Sequence, residues 1–387
     1  MVIDTDTLST TNQTSKATAA SSTSDMSLDT GTTVLNGLSP KYAEIFGEKY
    51  SKLYREHVAG KRLAHDMTIE EYRANPVILS FGGAPGPEVG KIDAHEIPVE
   101  DGSQIPIRVY YPSSYSGNSE ALLPCYFNIH GGGFVIGDLG DDASFLRTVC
   151  NECNAIVVDV GYRLAPEYKY PIPVTDCWDA FKWVAQNSEK LGIDNEKIAV
   201  GGFSAGGHIA AVISQLARDK DFASKPCFQL LVIPVCDASA LDPSLNVRKN
   251  CPYPSWTEHY YAPFLSYARM SWFYKYFLPE KVTDALLEEP LLSPIKAKSL
   301  ADLPPALVVP AEVDVLRDEG IAYAQRLSKE NNAWTQLWLA RRVPHPFPHQ
   351  VQAHESAVEF RKLAIQRLQE AFQGRLKGKE FISNVSA

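Results

Sequence analysis

A serine flanked by glycines is the first residue of this chain with an obvious chemical use. Ser204 is the centre of a G-x-S-x-G sequence running from Gly202 to Gly206, between an apolar run typical of a strand and a helical pattern. A strand that turns into a helix so abruptly needs glycines beside the turn, because Cβ atoms would clash there. The turn would expose the serine hydroxyl above a sheet and point the free N–H groups of the helix at the atom under attack. We therefore predict a nucleophile at Ser204, while the motif alone leaves an ordinary glycine-rich turn open.

A second glycine-rich sequence lies upstream, at the end of a predicted strand. His130 is followed by Gly131, Gly132 and Gly133, so the backbone N–H groups here are unobstructed and suit the stabilisation of a developing oxyanion. A phosphate-binding loop is the alternative, but the Lys and Ser/Thr that a P-loop requires are missing. We predict an oxyanion-stabilising loop in which His130 orients the backbone by hydrogen bonding.

Both loops require a sheet that brings strand ends together. Apolar runs of strand length alternate with helical patterns through most of the chain. Such alternation predicts the α/β class with a mainly parallel, doubly wound sheet, in which an early hairpin turns at residues 101–102. The predicted strands cover residues 97–99, 105–111, 122–129, 155–160, 228–236, 306–309 and 335–340, and the predicted helices residues 173–186, 320–329 and 356–372.

The N-terminal region differs from the rest of the chain. Residues 1–34 are nearly all small and polar, which predicts a disordered tail rather than a secretory signal. Beyond it, Ser39 and Pro40 predict the start of a helix, and Thr68 with Glu71 forms a candidate capping box.

Composition excludes several classes of partner. The net charge is −9 without a Lys/Arg block, and no apolar run is long enough for a membrane span, so we expect neither nucleic-acid binding nor a transmembrane segment. The seven cysteines are odd in number, and Cys150-x-x-Cys153 could be a redox pair or half a zinc site. No second pair stands at metal spacing, so we predict core thiols in a reducing compartment, hence a cytoplasmic protein.

Three sequences together resemble one family. Residues 130–134, 162–167 and 202–207 stand in the order and spacing of the hormone-sensitive-lipase-like branch of the α/β-hydrolase superfamily, and the resemblance extends from Val99 to the C-terminus. It implies the α/β-hydrolase fold and a Ser–acid–His triad in that chain order. It also implies an oxyanion hole from the glycine loop and the N–H after the serine, without metal or organic cofactor.

Matched residue by residue, the resemblance makes Ser204 the nucleophile and gives the oxyanion N–H groups to Gly132, Gly133 and Ala205. The segment around Asp314 resembles the family's D-x-L-x-D-E sequence, so Asp314 is the expected acid. Two neighbouring carboxylates compete for that role, Glu312 and Asp318.

The expected base is His345, because the family's H-G-F sequence corresponds to His345-Pro346-Phe347 here. His349 competes for this role, whereas His208 and His354 are expected to be structural or exposed. The chain departs from the family at Pro346 and also at Phe203, where the branch usually carries Asp. Arg163 and Glu167 are expected to form an ion pair that supports the glycine loop.

The resemblance also divides the chain. A cap over the serine is expected from residues 35–92 and from an aromatic insertion at residues 241–289, with a core formed by residues 93–240 and 290–387. Trp256 and Phe273 are the predicted pocket-lining aromatics of the insertion. The resemblance further allows a homodimer through a terminal strand–helix pair.

The function expected from these residues is hydrolysis of small to medium apolar carboxylic esters, acetyl esters among them. The partner would be a small-molecule ester. An amidase or arylformamidase of the same fold is an alternative, because ester and amide cleavage use the same triad. A non-catalytic small-molecule receptor is the other, and the presence of Ser204, Asp314 and His345 argues against it.

Overall fold

The computed structural model describes residues 37–74, 80–81, 83–117 and 121–385, so the predicted tail at residues 1–34 lies outside the described residues. Within these ranges, one sheet has nine strands and a second has two. In chain order the strands are β1 (Lys91–Pro98), β2 (Gln104–Tyr111), β3 (Leu123–Ile129), β4 (Ile156–Val160), β5 (Ile193–Phe203), β6 (Phe228–Val232), β7 (Ala306–Val309), β8 (Ala311–Val313), β9 (Thr335–Leu337), β10 (Ala340–Pro344) and β11 (Phe381–Ser383).

The large sheet has the order β1-β2-β4-β3-β5-β6-β7-β9-β11. The pairs β1–β2 and β2–β4 are antiparallel, and the remaining pairs are parallel. The mainly parallel sheet predicted from the sequence is therefore confirmed. β8 and β10 form a separate parallel pair beside it.

Helices cover both faces of the large sheet. They are α1 (Pro40–Phe46), α2 (Glu48–His57), α3 (Ile69–Ala74), α4 (Ala143–Glu152), α5 (Ile172–Gln186), α6 (Ser188–Leu191), α7 (Ala205–Asp219), α8 (Ser255–Glu258), α9 (Tyr267–Phe277), α10 (Asp284–Leu287), α11 (Arg317–Glu330) and α12 (Glu355–Phe372). Helices α5, α7 and α11 pack on one face, with Phe127 of β3 in their core. Helices α4 and α12 pack on the other face, against a core that includes Tyr126 of β3. Neighbouring residues of β3 therefore point to opposite faces, as they do in a strand that is buried on both sides.

The predicted helix starts before the first strand are confirmed by their caps. Ser39 is the N-cap of α1 and Pro40 its first residue. At α3, Thr68 N donates to Glu71 Oε2 at 2.9 Å and Glu71 N donates to Thr68 Oγ1 at 3.2 Å, which is a capping box.

Three predicted strands are wrong in extent. The strand expected over residues 97–99 is the end of β1, which begins at Lys91. The strand expected over residues 228–236 ends at Val232, because Ile233 takes a φ of 46° that no strand residue adopts. The strand expected over residues 335–340 is divided between two sheets. Thr335–Leu337 pairs with β7, whereas Ala340 pairs with Ala311 of β8.

The insertion at residues 241–289 contains a helix that its irregular pattern did not predict. In α9 the buried residues cover one broad side of the helix: Arg269, Met270, Trp272, Phe273, Tyr274 and Phe277. The other side carries Ala268, Ser271 and the exposed Lys275. Because the apolar side is so wide, polar residues interrupt the sequence too seldom for a helical period to stand out. The N-terminal segment contacts it, since Trp272 Nε1 donates to the carbonyl of Met67 at 3.1 Å. No helix in the described ranges has the length and apolar character needed to cross a bilayer.

Candidate active site

Ser204 sits on a sharp turn between β5 and α7. It has φ 56° and ψ −115°, its N–H donates to the carbonyl of Val232 at 2.9 Å, and α7 begins at the next residue. The first turn of α7 passes so close to β3 that a Cβ at Gly206 would lie 1.8 Å from the carbonyl oxygen of Ile129. Glycine is therefore required there, and the strand–turn–helix predicted around Ser204 is what the structure contains.

Asp314 and His345 are brought together by the small sheet. In the parallel pair of β8 and β10, Val313 is the register partner of Pro344. Each strand is followed at once by a site residue, Asp314 after Val313 and His345 after Pro344. The two side chains therefore emerge side by side at the carboxyl end of the pair, although 31 positions separate them along the chain.

The three side chains form one hydrogen-bonded row. His345 Nε2 lies 2.9 Å from Ser204 Oγ, and His345 Nδ1 lies 2.6 Å from Asp314 Oδ2. Asp314 is 1% exposed, and its Oδ1 accepts a hydrogen bond from Leu316 N at 3.0 Å. The buried carboxylate thus orients the imidazole so that the other ring nitrogen can accept the serine proton.

The competing carboxylates are engaged elsewhere. Glu312 Oε2 accepts from Arg342 N at 2.6 Å, and Glu312 also pairs with Arg341. Asp318 lies in the first turn of α11, where its carboxylate accepts from Ser255 N at 2.7 Å.

The other histidines lie apart from the serine hydroxyl. His349 Nε2 is 3.7 Å from Asp142 Oδ1, and burial lowers the pKa of His349 to about 4. His208 is buried between the carbonyls of Val235 and Leu291, and His354 is buried against Tyr50. None of these contacts involves Ser204 Oγ.

The glycine loop has a backbone that other residues could not adopt. Gly132 has φ 109°, and a Cβ there would lie 2.0 Å from the carbonyl oxygen of Ile136. Gly132 and Gly133 line the pocket in front of Ser204. Ala205 is the first residue of α7, so its N–H has no acceptor within the helix.

His130 supports this loop as predicted. Its Nδ1 lies 2.7 Å from the carbonyl oxygen of Gly131, and its ring stacks on Tyr162 at 4.2 Å between centroids. Tyr162 Oη in turn donates to the carbonyl of His130 at 3.0 Å.

The predicted ion pair between Arg163 and Glu167 is wrong. Arg163 binds Asp176 at 2.6 Å and Asp101 at 2.8 Å. Glu167 pairs at 2.7 Å with Arg73 of α3. Arg73 was not predicted, and it also donates to the carbonyls of Val135 and Ala165 at 2.8 Å each. The segment behind the glycine loop is therefore tied to the N-terminal helices.

The pocket in front of Ser204, here called the Ser204 pocket, is largely apolar. It encloses about 720 Å³, including space open to solvent. Phe273 lines it as predicted, but Trp256 does not, because its Nε1 donates to the buried Glu319 at 3.0 Å. The lining residues are Gly131, Gly132, Gly133, Phe134, Ile136, Phe203, Ser204, Ile233, Val235, Phe264, Leu265, Arg269, Met270, Phe273, Tyr274, His345, Pro346 and His349.

Helix α9 contributes Arg269, Met270, Phe273 and Tyr274 to the pocket lining, and of these the sequence predicted only Phe273. The one sequence signal for the others was the high aromatic content of the insertion. Phe203, the departure at the centre of the serine motif, packs its ring against His349 at 5.2 Å between centroids. An apolar side chain at this position therefore belongs to the pocket wall and the core behind it.

The Cys150-x-x-Cys153 pair lies in and beside α4, away from the Ser204 pocket. Burial raises the pKa of each thiol to about 12, which disfavours the thiolate that redox chemistry or zinc binding needs. The prediction of core thiols fits this environment.

Comparison with known proteins agrees with the geometry. The sequence profile of the alpha/beta hydrolase fold family matches residues 126–349. The esterase LipI of Mycobacterium tuberculosis is 41% identical over 231 residues, which are 59% of this chain and 67% of that protein. The arylesterase of Saccharolobus solfataricus is 36% identical over 265 residues, which are 67% of this chain and 78% of that protein.

A solved structure is similar over nearly its whole length. The hyperthermophilic esterase of the archaeon Pyrobaculum calidifontis superposes with a TM-score of 0.70 at 32% identity, covering 87% of this chain and 99% of its own. The chain thus belongs to the α/β-hydrolase fold family, as an esterase of the hormone-sensitive-lipase-like branch.

Proposed function

We propose that this protein is a serine carboxylesterase that hydrolyses small to medium apolar esters through an acyl-enzyme on Ser204. The observation that carries the proposal is the row of contacts from Ser204 through His345 to Asp314, at 2.9 Å and 2.6 Å. A hydroxyl, an imidazole and a buried carboxylate in this order activate a serine for acyl transfer.

In the first half of the reaction, His345 Nε2 takes the proton of Ser204 while the serine oxygen attacks the ester carbonyl. The negative charge that forms on the carbonyl oxygen is stabilised by the N–H groups of Gly132, Gly133 and Ala205. The tetrahedral intermediate then expels the alcohol, which receives the proton from His345, and leaves an acyl group on Ser204.

In the second half, His345 takes a proton from water as the water oxygen attacks the acyl-enzyme. The same N–H groups stabilise the second tetrahedral intermediate. Ser204 leaves with the proton from His345, and the carboxylic acid is released. Asp314 holds the imidazole in the required tautomer and stabilises its charge in both halves.

The substrate class follows from the Ser204 pocket. Its wall is built largely from aliphatic and aromatic side chains of the loops around β6 and of α9, which favours apolar acyl or alcohol groups. We propose that residues 35–92 and 241–289 act together as a cap that excludes water when substrate is bound. Contacts such as Trp272 with Met67 support this pairing of the two segments.

The test is hydrolysis of 4-nitrophenyl acetate, butyrate and octanoate by purified protein, beside Ser204→Ala. We expect activity in the wild type that the variant lacks. A parallel assay with the matching 4-nitroanilides separates an esterase from an amidase. Equal inactivity of wild type and variant on all the esters would contradict the proposal, and faster cleavage of the anilides would favour the amidase alternative.

A further inference from the structure

A buried arginine lies in the wall of the Ser204 pocket. Arg269 of α9 is 8% exposed, and it lines the same pocket as Ser204 and His345. No Asp or Glu is among the lining residues. A guanidinium group stays charged at any pH relevant to enzymes, so a permanent cation faces an otherwise largely apolar space.

The contacts of this guanidinium leave its charge unbalanced. Its Nη2 donates to the hydroxyl of Tyr72 at 2.8 Å, and its centre lies 5.0 Å from the ring of Tyr72 and 5.2 Å from that of Phe273. In the described part of the chain, no carboxylate lies within 4.0 Å of the Arg269 side chain. Residues 75–79 and 82, which follow α3, contain no Asp or Glu. The rings of Tyr72 and Phe273 and the hydroxyl of Tyr72 lower the free-energy cost of burying this charge, but they do not neutralise the charge.

Two other sheltered arginines of this protein are paired with carboxylates. Arg163, with a side chain 13% exposed, binds Asp176 at 2.6 Å. Arg317, 16% exposed, binds Glu258 at 2.8 Å. Among the described residues, Arg361 also lacks a carboxylate within 4.0 Å, but it donates to Ser144 Oγ at 3.0 Å and does not line the Ser204 pocket. Arg269 is thus the unpaired arginine in the wall of this pocket, which points to a partner that arrives with the substrate.

The position of Arg269 sets where that partner would lie. Phe273, one turn further along α9, covers the glycine loop so closely that a Cβ at Gly133 would fall 2.5 Å from its ring. Residues four apart lie on the same face of a helix, about 6 Å apart. The guanidinium centre lies 5.2 Å from the Phe273 ring, so it stands beside the ring that covers the glycine loop.

We infer that Arg269 binds a carboxylate group of the substrate, so that the preferred esters are those carrying a second, anionic group a few bonds from the scissile carbonyl. The inference rests on the proposed esterase function and narrows its substrate class. A planar guanidinium can donate two parallel hydrogen bonds to a carboxylate, and such a pair is strong where water is excluded. The apolar wall would hold the carbon chain between the two groups.

The test compares anionic esters with neutral esters of similar size. For a carboxylate on the acyl side, the pair is 4-nitrophenyl hydrogen glutarate and 4-nitrophenyl pentanoate. For a carboxylate on the alcohol side, it is 4-acetoxybenzoate and 4-acetoxybenzamide. We expect wild type to show a kcat/KM that is roughly 10- to 100-fold higher for the anionic member of at least one pair. The pair that shows it tells which side of the ester faces Arg269.

Variants attribute the preference to the arginine. Arg269→Gln is expected to raise the KM of the preferred anionic ester and to reduce the anionic-to-neutral ratio of kcat/KM by roughly 10-fold or more. Arg269→Lys keeps the charge and should keep part of the ratio. Lys275→Gln is the matched control, because Lys275 is an exposed cation on the same helix that does not line the pocket, and we expect it to leave the ratio unchanged.

The outcomes separate this inference from the proposed function. Hydrolysis of the neutral esters without preference for either anionic ester would overturn the inference and leave the esterase function standing. A wild-type ratio in Arg269→Gln would also overturn the inference alone. Failure of wild type on all four esters would overturn both. The wild-type comparison needs no variant, so it remains decisive even if Arg269→Gln does not fold.

Discussion

His345 and His349 lie four residues apart in one loop and both line the Ser204 pocket, yet their ring nitrogens face different partners. His345 Nε2 is 2.9 Å from Ser204 Oγ, whereas His349 Nε2 is 3.7 Å from Asp142 Oδ1. The turn at residues 347–349 that follows Pro346 carries the second histidine away from the serine hydroxyl.

This arrangement predicts very different effects for the two alanine variants. His345→Ala removes the proton acceptor of Ser204 and should lower kcat on 4-nitrophenyl butyrate by about 10⁴-fold or more. His349→Ala leaves the acceptor in place and should change kcat by less than about 10-fold. Loss of activity in His349→Ala with activity kept in His345→Ala would reverse the assignment of the base.

A Cβ atom on the oxyanion loop should damage catalysis because the backbone must move to make room for it. In Gly132→Ala the new Cβ would lie 2.0 Å from the carbonyl oxygen of Ile136. The loop must shift to relieve this contact, so the N–H groups of Gly132 and Gly133 should no longer point at the oxyanion. We expect kcat to fall by about 10²–10³-fold. Gly102→Ala is the control, since Gly102 also has a positive φ, 85°, but nothing lies within 4 Å of its added Cβ.

Thermal unfolding of both glycine variants, beside their kinetics, distinguishes a local effect from unfolding. Gly102→Ala should keep the wild-type kcat. Wild-type activity in Gly132→Ala would show that this loop does not hold the oxyanion.

Arg73 should matter more to stability than its visible ion pair suggests. Its bond to Glu167 is half exposed, and such pairs are worth less than about 1 kcal/mol. The same guanidinium also donates to the carbonyls of Val135 and Ala165. Arg73→Ala should therefore lower the free energy of unfolding by about 1–3 kcal/mol, and Glu167→Gln by less than about 1 kcal/mol. Urea unfolding of the two variants checks this prediction. If both variants lose the same free energy of unfolding, the contacts of Arg73 with the two carbonyls do not contribute to stability.

Burial of His354 predicts a loss of stability in acid. Burial lowers its folded-state pKa from 6.5 to about 4, so between these pH values the unfolded chain binds a proton that the folded protein does not. The free energy of unfolding should fall as the pH drops from about 6.5 to about 4, by at most about 3 kcal/mol for this one group. Below that range the contribution stays lost.

Replacing His354 removes this term. His354 stacks on Tyr50 at 4.7 Å and lies 5.9 Å from the ring of Phe46, so His354→Phe keeps an aromatic ring in the cluster without a titrating group. Urea unfolding at a series of pH values should give a shallower acid slope for the variant, with a constant difference from wild type above pH 7. An unchanged slope would mean that His354 is not protonated on unfolding in this range.

The parts of the fold and site that could be predicted are those set by nearby residues. Glycines on both sides of Ser204, the capping box at Thr68 and the apolar strand that ends at His130 each restrict the backbone locally, so short sequences were enough. The positions of Asp314 and His345 came from resemblance, since nothing local shows that β8 and β10 end side by side.

The errors in side-chain pairing arose where the partner is set by tertiary packing rather than by nearness in the sequence. Arg163 and Glu167 are close in sequence, but their actual partners, Asp176 and Arg73, are set by tertiary packing. Trp256 looked like a pocket residue because it is aromatic, yet the buried Glu319 binds its indole N–H. Sequence alone gives the residue types, whereas pairing depends on which helices the sheet brings together.

The backbone of Ser204, with its φ of 56°, has a consequence for the energetics of the whole protein. A side chain in this conformation costs about 1–3 kcal/mol, a cost that glycine largely avoids. Ser204→Gly should therefore unfold at a higher temperature than wild type while being inactive. Selection for thermostability alone would remove the reactive residue, so the chain carries a permanent destabilisation at its centre that the surrounding nine-stranded sheet must offset.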